Sequence, residues 1–266
     1  MSATYEHIRV ERGPDGVATL TFARPEVRNA MHLAMNREVR TALDELADDE
    51  AVRALVLTGA GGRSFVSGAD IAELRDRPAS VALLRHNAKL CDALEAFPRP
   101  TVAAIEGVAL GGGMEVALAC DLRVAGASAK LGQPEVSLGI IPAAGATWRL
   151  PRIVGLGRAK ELIFTARVIE ADEALAMGLL NRVVPDGHAL ETARSLAATM
   201  AAQSPLAVRL AKVAVDGGRE ASAQVGSMLE ALAQALLYDD PEKHARMDAF
   251  LARRRTSKPS KGSGND

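Results

Sequence analysis

The stretch ALGGGMEVALACD at residues 109–121 places three consecutive glycines and then Glu115 inside an otherwise apolar run. It follows TVAAIEG at 101–107, whose apolar residues predict a buried strand. Glycine is a poor helix former, and a carboxylate is costly to bury, so both features need a reason. The pattern predicts a strand, a glycine-rich connection and then a short helix that carries Glu115.

The same order is predicted once more upstream. ALVLTG at 54–59 is typical of a short buried strand, and the polar, glycine-rich segment AGGRSFVSGAD at 60–70 is typical of a loop. Residues 80–96 then predict a helix that Pro98 and Pro100 end. Buried strands that alternate with helices favour an α/β fold in which helices cover a mostly parallel sheet.

The flanking segments add a hairpin, a helix and a helical end. HIRVERGPDGVATLTF at 7–22 predicts two strands around a Pro-Asp-Gly turn, and the apolar spacing of residues 33–48 predicts a helix. After about residue 187 no strand pattern remains. Ser204-Pro205 and Asp240-Pro241 each place a capping side chain before a proline suited to a first helical turn. Many apolar positions in these helices predict subunit contacts.

Composition excludes several classes of function. The 266 residues are 48% hydrophobic but only 3% aromatic, which predicts a core of Ala, Val, Leu and Ile in one large domain or a domain with an appendage. The net charge of -1 gives no electrostatic case for nucleic acid or an anionic membrane. The first residues lack a signal-peptide pattern, and no apolar run reaches the roughly 18 residues of a membrane span, so a cytoplasmic protein is expected. The basic cluster at 253–261 lies in a polar tail that is expected to be disordered.

Common catalytic and metal-binding motifs are missing from the sequence. There is no phosphate-binding P-loop, no G-x-S-x-G and no H-E-x-x-H, and the five histidines have no metal-ligand spacing. GAGGRS at 59–64 matches a dinucleotide fingerprint at two glycines only, which makes nicotinamide binding a weak hypothesis. Cys91 and Cys120 lie in apolar stretches and are interpreted as small core residues, neither a disulfide pair nor a metal site.

Two interpretations of the glycine triplet stay open at this level. Bare backbone N–H groups at a helix entry could donate to an oxygen that becomes negative during a reaction, because no Cβ keeps a substrate away. Alternatively, the glycines only permit close packing, and Glu115 is a solvated first-turn residue. A second stretch, GQPEVSLGIIPAAGATWRL at 132–150, carries Glu135 in a turn, where a surface carboxylate is the simpler interpretation.

Three motifs in order resemble the crotonase, or enoyl-CoA hydratase/isomerase, family. FVSGADIAEL at 65–74 precedes the two stretches above, and the resemblance runs from RPEVRNAM at 24–31 to the helical end. It implies a crotonase-like α/β spiral of ββα units with a helical C-terminal trimerisation region, assembled as a homotrimer or a dimer of trimers. The expected division is a core at 1–200, a helical oligomerisation region at 201–255 and a disordered polar tail at 256–266.

The resemblance also implies the site and its chemistry. The backbone N–H groups of Ala69 and Gly112 would form an oxyanion hole for an acyl-CoA thioester, with Glu115 as general base and Glu135 as general acid around a water molecule. No metal or organic cofactor is expected, because coenzyme A is part of the substrate. The substrate-binding residues implied by the same motifs are Val27, Arg28, Ala30, Ser67, Gly68, Asp70, Ile71, Ala72, Gly111 and Pro142.

The resulting hypothesis is an enoyl-CoA hydratase that converts trans-2-enoyl-CoA to 3-hydroxyacyl-CoA, in fatty acid β-oxidation or a related pathway. The alternatives are an enoyl-CoA isomerase that uses one carboxylate, another acyl-CoA lyase or hydrolase, and a non-catalytic acyl-CoA binder. RNA binding, known for some relatives, is disfavoured by the neutral charge. This chain reads PAAGATWRL where the family often reads PGAGGTQRL, so Ala143, Ala146 and Trp148 leave the acyl-length preference open.

Overall fold

The computed structural model describes residues 4–218 and 221–256, with the side chains of residues 255 and 256 excepted. The chain divides into two compact units, Met1–Ala202 and Gln203–Asp266. The tail expected at 256–266 lies outside the described residues, apart from Thr256 at the end of the last helix.

The described elements of the first unit alternate between strands and helices. Its strands are β1 (Ile8–Arg12), β2 (Val17–Phe22), β3 (Ala54–Gly59), β4 (Ser64–Val66), β5 (Thr101–Ile105), β6 (Val108–Leu110), β7 (Leu122–Gly126), β8 (Lys130–Gly132), β9 (Val168–Glu170) and β10 (Arg182–Val184). Its helices are α1 (Leu33–Asp48), α2 (Ile71–Arg75), α3 (Ala79–Ala82), α4 (His86–Glu95), α5 (Gly112–Ala119), α6 (Ala146–Val154), α7 (Leu156–Thr165), α8 (Ala171–Ala176) and α9 (Ala189–Ala201). Short 3-10 helices cover Pro25–Val27 and Pro134–Leu138.

The central strands of the larger sheet, β2, β3, β5 and β7, are buried on both faces. Its strand order is β1-β2-β3-β5-β7-β10, with β1 and β2 antiparallel and the other neighbours parallel. Successive side chains of β3 point to opposite faces of the sheet, and each face packs into a separate hydrophobic cluster. Leu55 belongs to the larger cluster, whereas Val56 belongs to the cluster beneath α9. On α9 the buried positions Ala189, Ala193, Ala197 and Ala201 recur every four residues and form one small-residue face, which lets the helix lie close to the strands. The predicted α/β class is confirmed.

The predicted repeat of strand, glycine-rich loop and helix is in fact a repeat of two strands and a helix. The second strand of each repeat belongs to a smaller sheet. Its order is β4-β6-β8-β9. Three times, two consecutive strands precede a helical segment: β3 and β4, β5 and β6, and β7 and β8. In each case the first strand belongs to the large sheet and the second to the small sheet. The ββα repeat implied by the resemblance is therefore present. The prediction of an uninterrupted loop at 60–70 is wrong, because β4 pairs with β6 inside that segment.

The strongly periodic elements lie where the sequence predicts them, whereas the helix predicted at 80–96 is broken. The hairpin forms, and α1 and β3 have the predicted bounds of 33–48 and 54–59. Between α3 and α4, Arg85 adopts a left-handed conformation with φ 53°, which ends one helix direction and begins another. The break turns Ala88, Cys91 and Leu94 into the core and leaves Leu83 exposed.

The second unit is helical throughout its described residues. Its helices are α10 (Pro205–Gly218), α11 (Ala223–Tyr238) and α12 (Pro241–Thr256). Both predicted caps form: Ser204 Oγ accepts the Ala207 N–H at 3.3 Å, and Asp240 Oδ1 accepts the Glu242 N–H at 2.9 Å. On α11, the side chains of Met228, Leu232 and Leu236 recur every four residues and are exposed.

Two smaller expectations are answered by the described part of the chain. Cys91 and Cys120 are both buried and are not joined in a disulfide, as expected of core residues. Of the helices within 4–218 and 221–256, none combines the length and the apolar character needed to cross a membrane.

Candidate active site

A cavity of about 190 Å³ in the first unit brings the predicted motifs together. Its polar wall contains Gly111, Gly112 and Glu115 from the start of α5, with Glu135 from the 3-10 helix at Pro134–Leu138. Ser67, Gly68 and Ala69 close the wall from the segment after β4, and Ile71 of α2 lies beside them. The remaining lining comes from α2, α3, the start of α4 and residues 134–144.

The three glycines differ in what their missing side chains permit. Gly111 precedes α5 with φ 52°, and a Cβ there would lie 3.0 Å from Glu135 Oε1. A Cβ on Gly113 would overlap with the Val66 carbonyl oxygen, so this glycine lets α5 pack on β4. A Cβ on Gly112 would lie 3.1 Å from the flexible end of Met31 and no closer than 3.7 Å to Ala69 N, with Gly68 C at 3.9 Å. Gly113 therefore serves packing, whereas Gly112 leaves room beside the cavity.

The backbone N–H groups of Ala69 and Gly112 lie close together at the cavity wall. Met31 forms a parallel bridge with Ala69, in which the Met31 N–H donates to Gly68 O at 2.8 Å and the Asp70 N–H donates to Met31 O at 2.8 Å. In this pattern the Ala69 N–H points away from Met31. Gly112 is the first residue of α5, so its N–H has no acceptor within the helix. Both residues line the cavity, and the pair suits an oxygen that gains negative charge.

Glu115 is a buried carboxyl group that two backbone donors hold in place. Its Oε1 accepts the Ala144 N–H at 2.7 Å and the Ala146 N–H at 3.0 Å. Burial, with a smaller contribution from the nearby Glu135, raises the pKa of Glu115 to about 7 against the lowering effects of these two N–H groups and of Arg149. A solvated first-turn carboxylate is therefore not what the structure contains. A group that titrates near neutral pH suits proton transfer.

Glu135 is buried as well, so the interpretation as a surface carboxylate is wrong. Its 3-10 helix begins at Pro134 and turns the side chain into the cavity, with 9% of the residue exposed. Burial raises the pKa of Glu135 above its ordinary value. The buried Gln133 amide, oriented as hydrogen bonding requires, donates to both carboxylate oxygens at 3.0 Å. Two carboxyl groups with raised pKa values thus share one cavity.

Six of the predicted substrate-binding residues do not line this cavity: Val27, Arg28, Ala30, Asp70, Ala72 and Pro142. Arg28 lines a second pocket of about 290 Å³, together with Arg63, and its carbonyl accepts the Ser67 N–H at 3.1 Å. Asp70 caps α2 by accepting the Ala72 N–H at 3.2 Å. Pro142 is buried, and Val27 is exposed at 39%.

Sequence reasoning missed the apolar wall and a buried asparagine. The apolar wall consists of Leu74, Val81, Ala82, Ala88, Pro134, Leu138, Ile140, Ile141, Ala143 and Ala144, and Arg77, Arg85, His86 and Asn87 lie with it. Leu74, Val81, Ala82 and Ala88 come after the SGAD motif, and their place after it is the signal that could have suggested them. The other six lie in the stretch at 132–150, where the sequence analysis singled out Ala143 but none of the other five. Asn29 is fully buried and donates to Ala60 O at 3.0 Å and Ser64 O at 2.9 Å, which fixes the segment before β4. In the sequence, only its place in the RPEVRNAM motif at 24–31 could have indicated a structural role for Asn29.

Trp148 lies outside the cavity lining. It is partly buried, and its ring contacts the guanidinium groups of Arg149 and Arg152 at 4.0 and 4.7 Å from the ring centroid. Ala143 lines the cavity, whereas Ala146 contributes its N–H to Glu115. Within residues 4–218 and 221–256, no three His, Cys, Asp or Glu side chains are grouped so that they could hold a metal ion.

Comparisons with known proteins agree on one family. The family model described as enoyl-CoA hydratase/isomerase matches residues 12–258. The crotonyl-CoA hydratase of Syntrophomonas wolfei is 40% identical over 259 residues, covering 97% of this chain and 99% of the relative. The short-chain-enoyl-CoA hydratase of Clostridium acetobutylicum is 40% identical over 243 residues, covering 90% and 92%. The crystal structure of the enoyl-CoA hydratase from Bacillus anthracis matches with a TM-score of 0.91 and 37% identity, covering 93% of this chain and 97% of that one.

Proposed function

The chain belongs to the enoyl-CoA hydratase/isomerase family, and from this we propose that it adds water to trans-2-enoyl-CoA to give 3-hydroxyacyl-CoA. The observation that carries the proposal is the meeting, in one cavity, of two adjoining backbone donors and two buried carboxyl groups. Hydration of a conjugated thioester needs both features, because charge builds up on the carbonyl oxygen while protons move at C2 and C3.

The donors stabilise the charge that addition of water creates. The thioester oxygen accepts hydrogen bonds from the N–H groups of Ala69 and Gly112, which polarises the conjugated system and makes C3 electrophilic. When water adds at C3, the electron pair moves onto this oxygen. A donor fixed in advance loses no energy to reorganisation and contributes about 3 to 4 kcal/mol to the transition state.

The two carboxyl groups divide the proton transfers. Water attacks C3 as one carboxylate removes its proton, and the other carboxyl group delivers a proton to C2. The double N–H donation to Glu115 Oε1 favours its carboxylate form, which supports Glu115 as the base and Glu135 as the acid. Burial acts in the opposite direction on Glu115, so titration in the free enzyme belongs to the pair.

The test follows the loss of ultraviolet absorbance of crotonyl-CoA in the wild type, Glu115→Gln and Glu135→Gln. We expect rapid loss in the wild type and a fall in kcat of roughly a hundredfold or more in each variant, because each removes one proton-transfer group without changing side-chain shape. Glu161→Gln, which changes an exposed carboxylate on α7, is the matched control and should behave as the wild type.

Other outcomes point to the alternatives. An isomerase that relies on Glu115 would largely survive Glu135→Gln and would move the double bond of a 3-enoyl-CoA. Tight acyl-CoA binding without turnover at any chain length would indicate a binder that kept the fold. The presence of both buried carboxyl groups favours the hydratase.

We assign the acyl chain and the coenzyme A phosphates of the substrate to two further groups of residues. The apolar wall, together with Ile71 beside it, accepts the hydrocarbon chain. The names of two relatives point to short chains. Arg28 and Arg63, in the neighbouring pocket, are suited to phosphate groups of coenzyme A. The reaction as proposed needs no metal or organic cofactor, since acid–base groups and fixed donors supply its chemistry.

We further propose a homotrimer or a dimer of trimers that acts in fatty acid β-oxidation in the cytoplasm. Exposed apolar side chains support an assembly, both on the first unit at Ile141 and Phe164 and along α11 at Met228, Leu232 and Leu236. The absence of nucleic-acid and membrane partners, expected from the net charge and from the lack of a long apolar run, stays a prediction.

A further inference from the structure

Arg149 is the largest side chain that is fully buried, with 1% of the residue exposed. A buried guanidinium must have its charge and its donors satisfied. Its Nη2 lies 3.0 Å from Asp92 Oδ1 and 2.8 Å from Glu95 Oε2, and its Nε donates to Glu95 at 3.2 Å. Both carboxylates belong to α4 and are partly open to solvent, so α6 and α4 are joined through this cation.

The same guanidinium supports the turn that holds Glu115. Arg149 Nη1 donates to Ala144 O at 2.8 Å, while the N–H of Ala144 donates to Glu115 Oε1 at 2.7 Å. Ala144 therefore bonds to Arg149 on one side and to the catalytic carboxyl group on the other. Gly145 has φ 115°, and a Cβ there would overlap with Arg149 Nη1, so the turn lies directly against the guanidinium. The Trp148 ring covers its other side, 4.0 Å from the ring centroid.

We infer that Arg149 is a positioning residue for the hydration reaction: through the Ala144–Ala146 turn it holds the Glu115 carboxyl group in its working orientation. The inference rests on the proposed function for the reaction, but the geometry concerns Glu115 itself. Arg149 does not line the cavity, so it acts through the turn and through its charge without touching the substrate.

The charges around Glu115 predict in which direction its pKa should shift when Arg149 or a partner of Arg149 is replaced. The groups that interact with Glu115 are Glu135 from the 3-10 helix, Arg149 from α6 and Cys91 from α4. Asp92 and Glu95 of α4 pair with Arg149, and His86 lies at the cavity wall. Arg149 lowers the pKa of Glu115, whose main cause of shift is burial. Removing Arg149 should therefore raise that pKa, whereas neutralising Glu95 should leave the cation less compensated and lower it.

The experiment compares the wild type, Arg149→Met, Arg149→Lys and Glu95→Gln by two readouts. The first is the ¹³C titration of glutamate-labelled protein, in which Glu115→Gln assigns the resonance of Glu115. The second is the steady-state kinetics of crotonyl-CoA hydration over pH. We expect opposite shifts of the Glu115 titration in Arg149→Met and Glu95→Gln. In Arg149→Met, kcat should fall roughly a hundredfold, with KM little changed. Arg149→Lys keeps the positive charge but loses the forked set of donors, so its kcat should lie between those of the wild type and Arg149→Met.

Arg123→Met is the control for the loss of a buried arginine. Arg123 donates to Leu179 O and Cys120 O at 2.7 Å each and to Ala117 O, at the C-terminal end of α5, at 3.2 Å. These bonds do not involve the Ala144–Ala146 turn. Arg123→Met should lower stability but leave the Glu115 titration unchanged. If Arg149→Met does not fold, Glu95→Gln and Arg149→Lys still decide the matter.

A folded Arg149→Met with the titration and kcat of the wild type would overturn the inference. So would shifts of the same sign in Arg149→Met and Glu95→Gln, or no shift in Glu95→Gln. If the wild type hydrates no enoyl-CoA, the proposed function fails, and the titration still tests the role of Arg149.

Discussion

Gly112 and Gly113 are neighbours in α5, yet an added methyl group would meet very different surroundings at the two positions. At Gly113 it would overlap with the Val66 carbonyl oxygen, which belongs to a buried strand and cannot move aside. At Gly112 it would meet the flexible end of Met31 and extend beside Ala69 N, where the substrate oxygen is expected.

We expect Gly113→Ala to destabilise the fold by about 2 kcal/mol or more, as overpacking does, and Gly112→Ala to keep most of the stability while kcat falls at least tenfold. Urea denaturation and the crotonyl-CoA assay separate the two effects. Gly157→Ala on α7, where a Cβ would meet nothing within 4 Å, is the control. Equal stability losses in the two variants would contradict this division of roles.

Single residues of the site could be predicted where a short motif carries them. Ala69, Gly112, Glu115 and Glu135 meet in one cavity, as the resemblance implies. Spacing alone could not show that Glu135 is buried, because Pro134 is compatible with an exposed turn and the burial comes from distant segments. The support given by Arg149 was likewise hidden, since its partners on α4 are more than fifty residues away.

At the scale of single elements, α9 depends on the small size of its buried face. Ala193 and Ala197 lie against Val56, Val102 and Val124 of the large sheet, so the helix has no room for longer side chains there. We expect Ala193→Leu to lower the free energy of unfolding by about 1 to 3 kcal/mol. Ser195→Leu on the exposed side of the same helix is the matched control, and chemical denaturation of both variants is the measurement. Two equal and small effects would show that α9 does not pack as described.

Elements were predictable in proportion to their length and periodicity. The 16 residues of α1 and the six residues of β3, four of them apolar, carry enough pattern to fix both ends of each element. The three-residue strands β4, β6 and β8 carry almost none, because their stability comes from pairing with one another. The break before α4 depends on one non-glycine residue, Arg85, in a left-handed conformation, which no local propensity favours.

At the scale of the whole molecule, the buried carboxyl group of Glu115 costs stability at neutral pH. Burial raises its pKa from 4.5 to about 7, so between these values the folded chain binds a proton that the unfolded chain has lost. The free energy of unfolding therefore falls as the pH rises through this window, by about 3 kcal/mol in total.

Glutamine keeps an acceptor for the Ala144 and Ala146 N–H groups but does not titrate. Relative to the wild type, Glu115→Gln should thus gain stability steadily from about pH 4.5 to 7 and hold that gain at higher pH. Urea denaturation at several pH values measures the difference. Glu191→Gln, at an exposed carboxylate, should show no such trend, and a difference for Glu115→Gln that is constant across pH would refute the linkage.

The donors of Ala69 and Gly112 belong to the main chain, and this has a consequence for how the molecule could change over time. A substitution at any other position replaces a side chain but leaves both N–H groups in place, as long as the bridge to Met31 and the start of α5 persist. Glu115 and Glu135, by contrast, can each be exchanged in one mutational step. The proposed binding site for the thioester oxygen can therefore persist when the proposed proton-transfer groups are lost. A descendant could then lose hydration and acquire a different thioester reaction without first rebuilding that binding site.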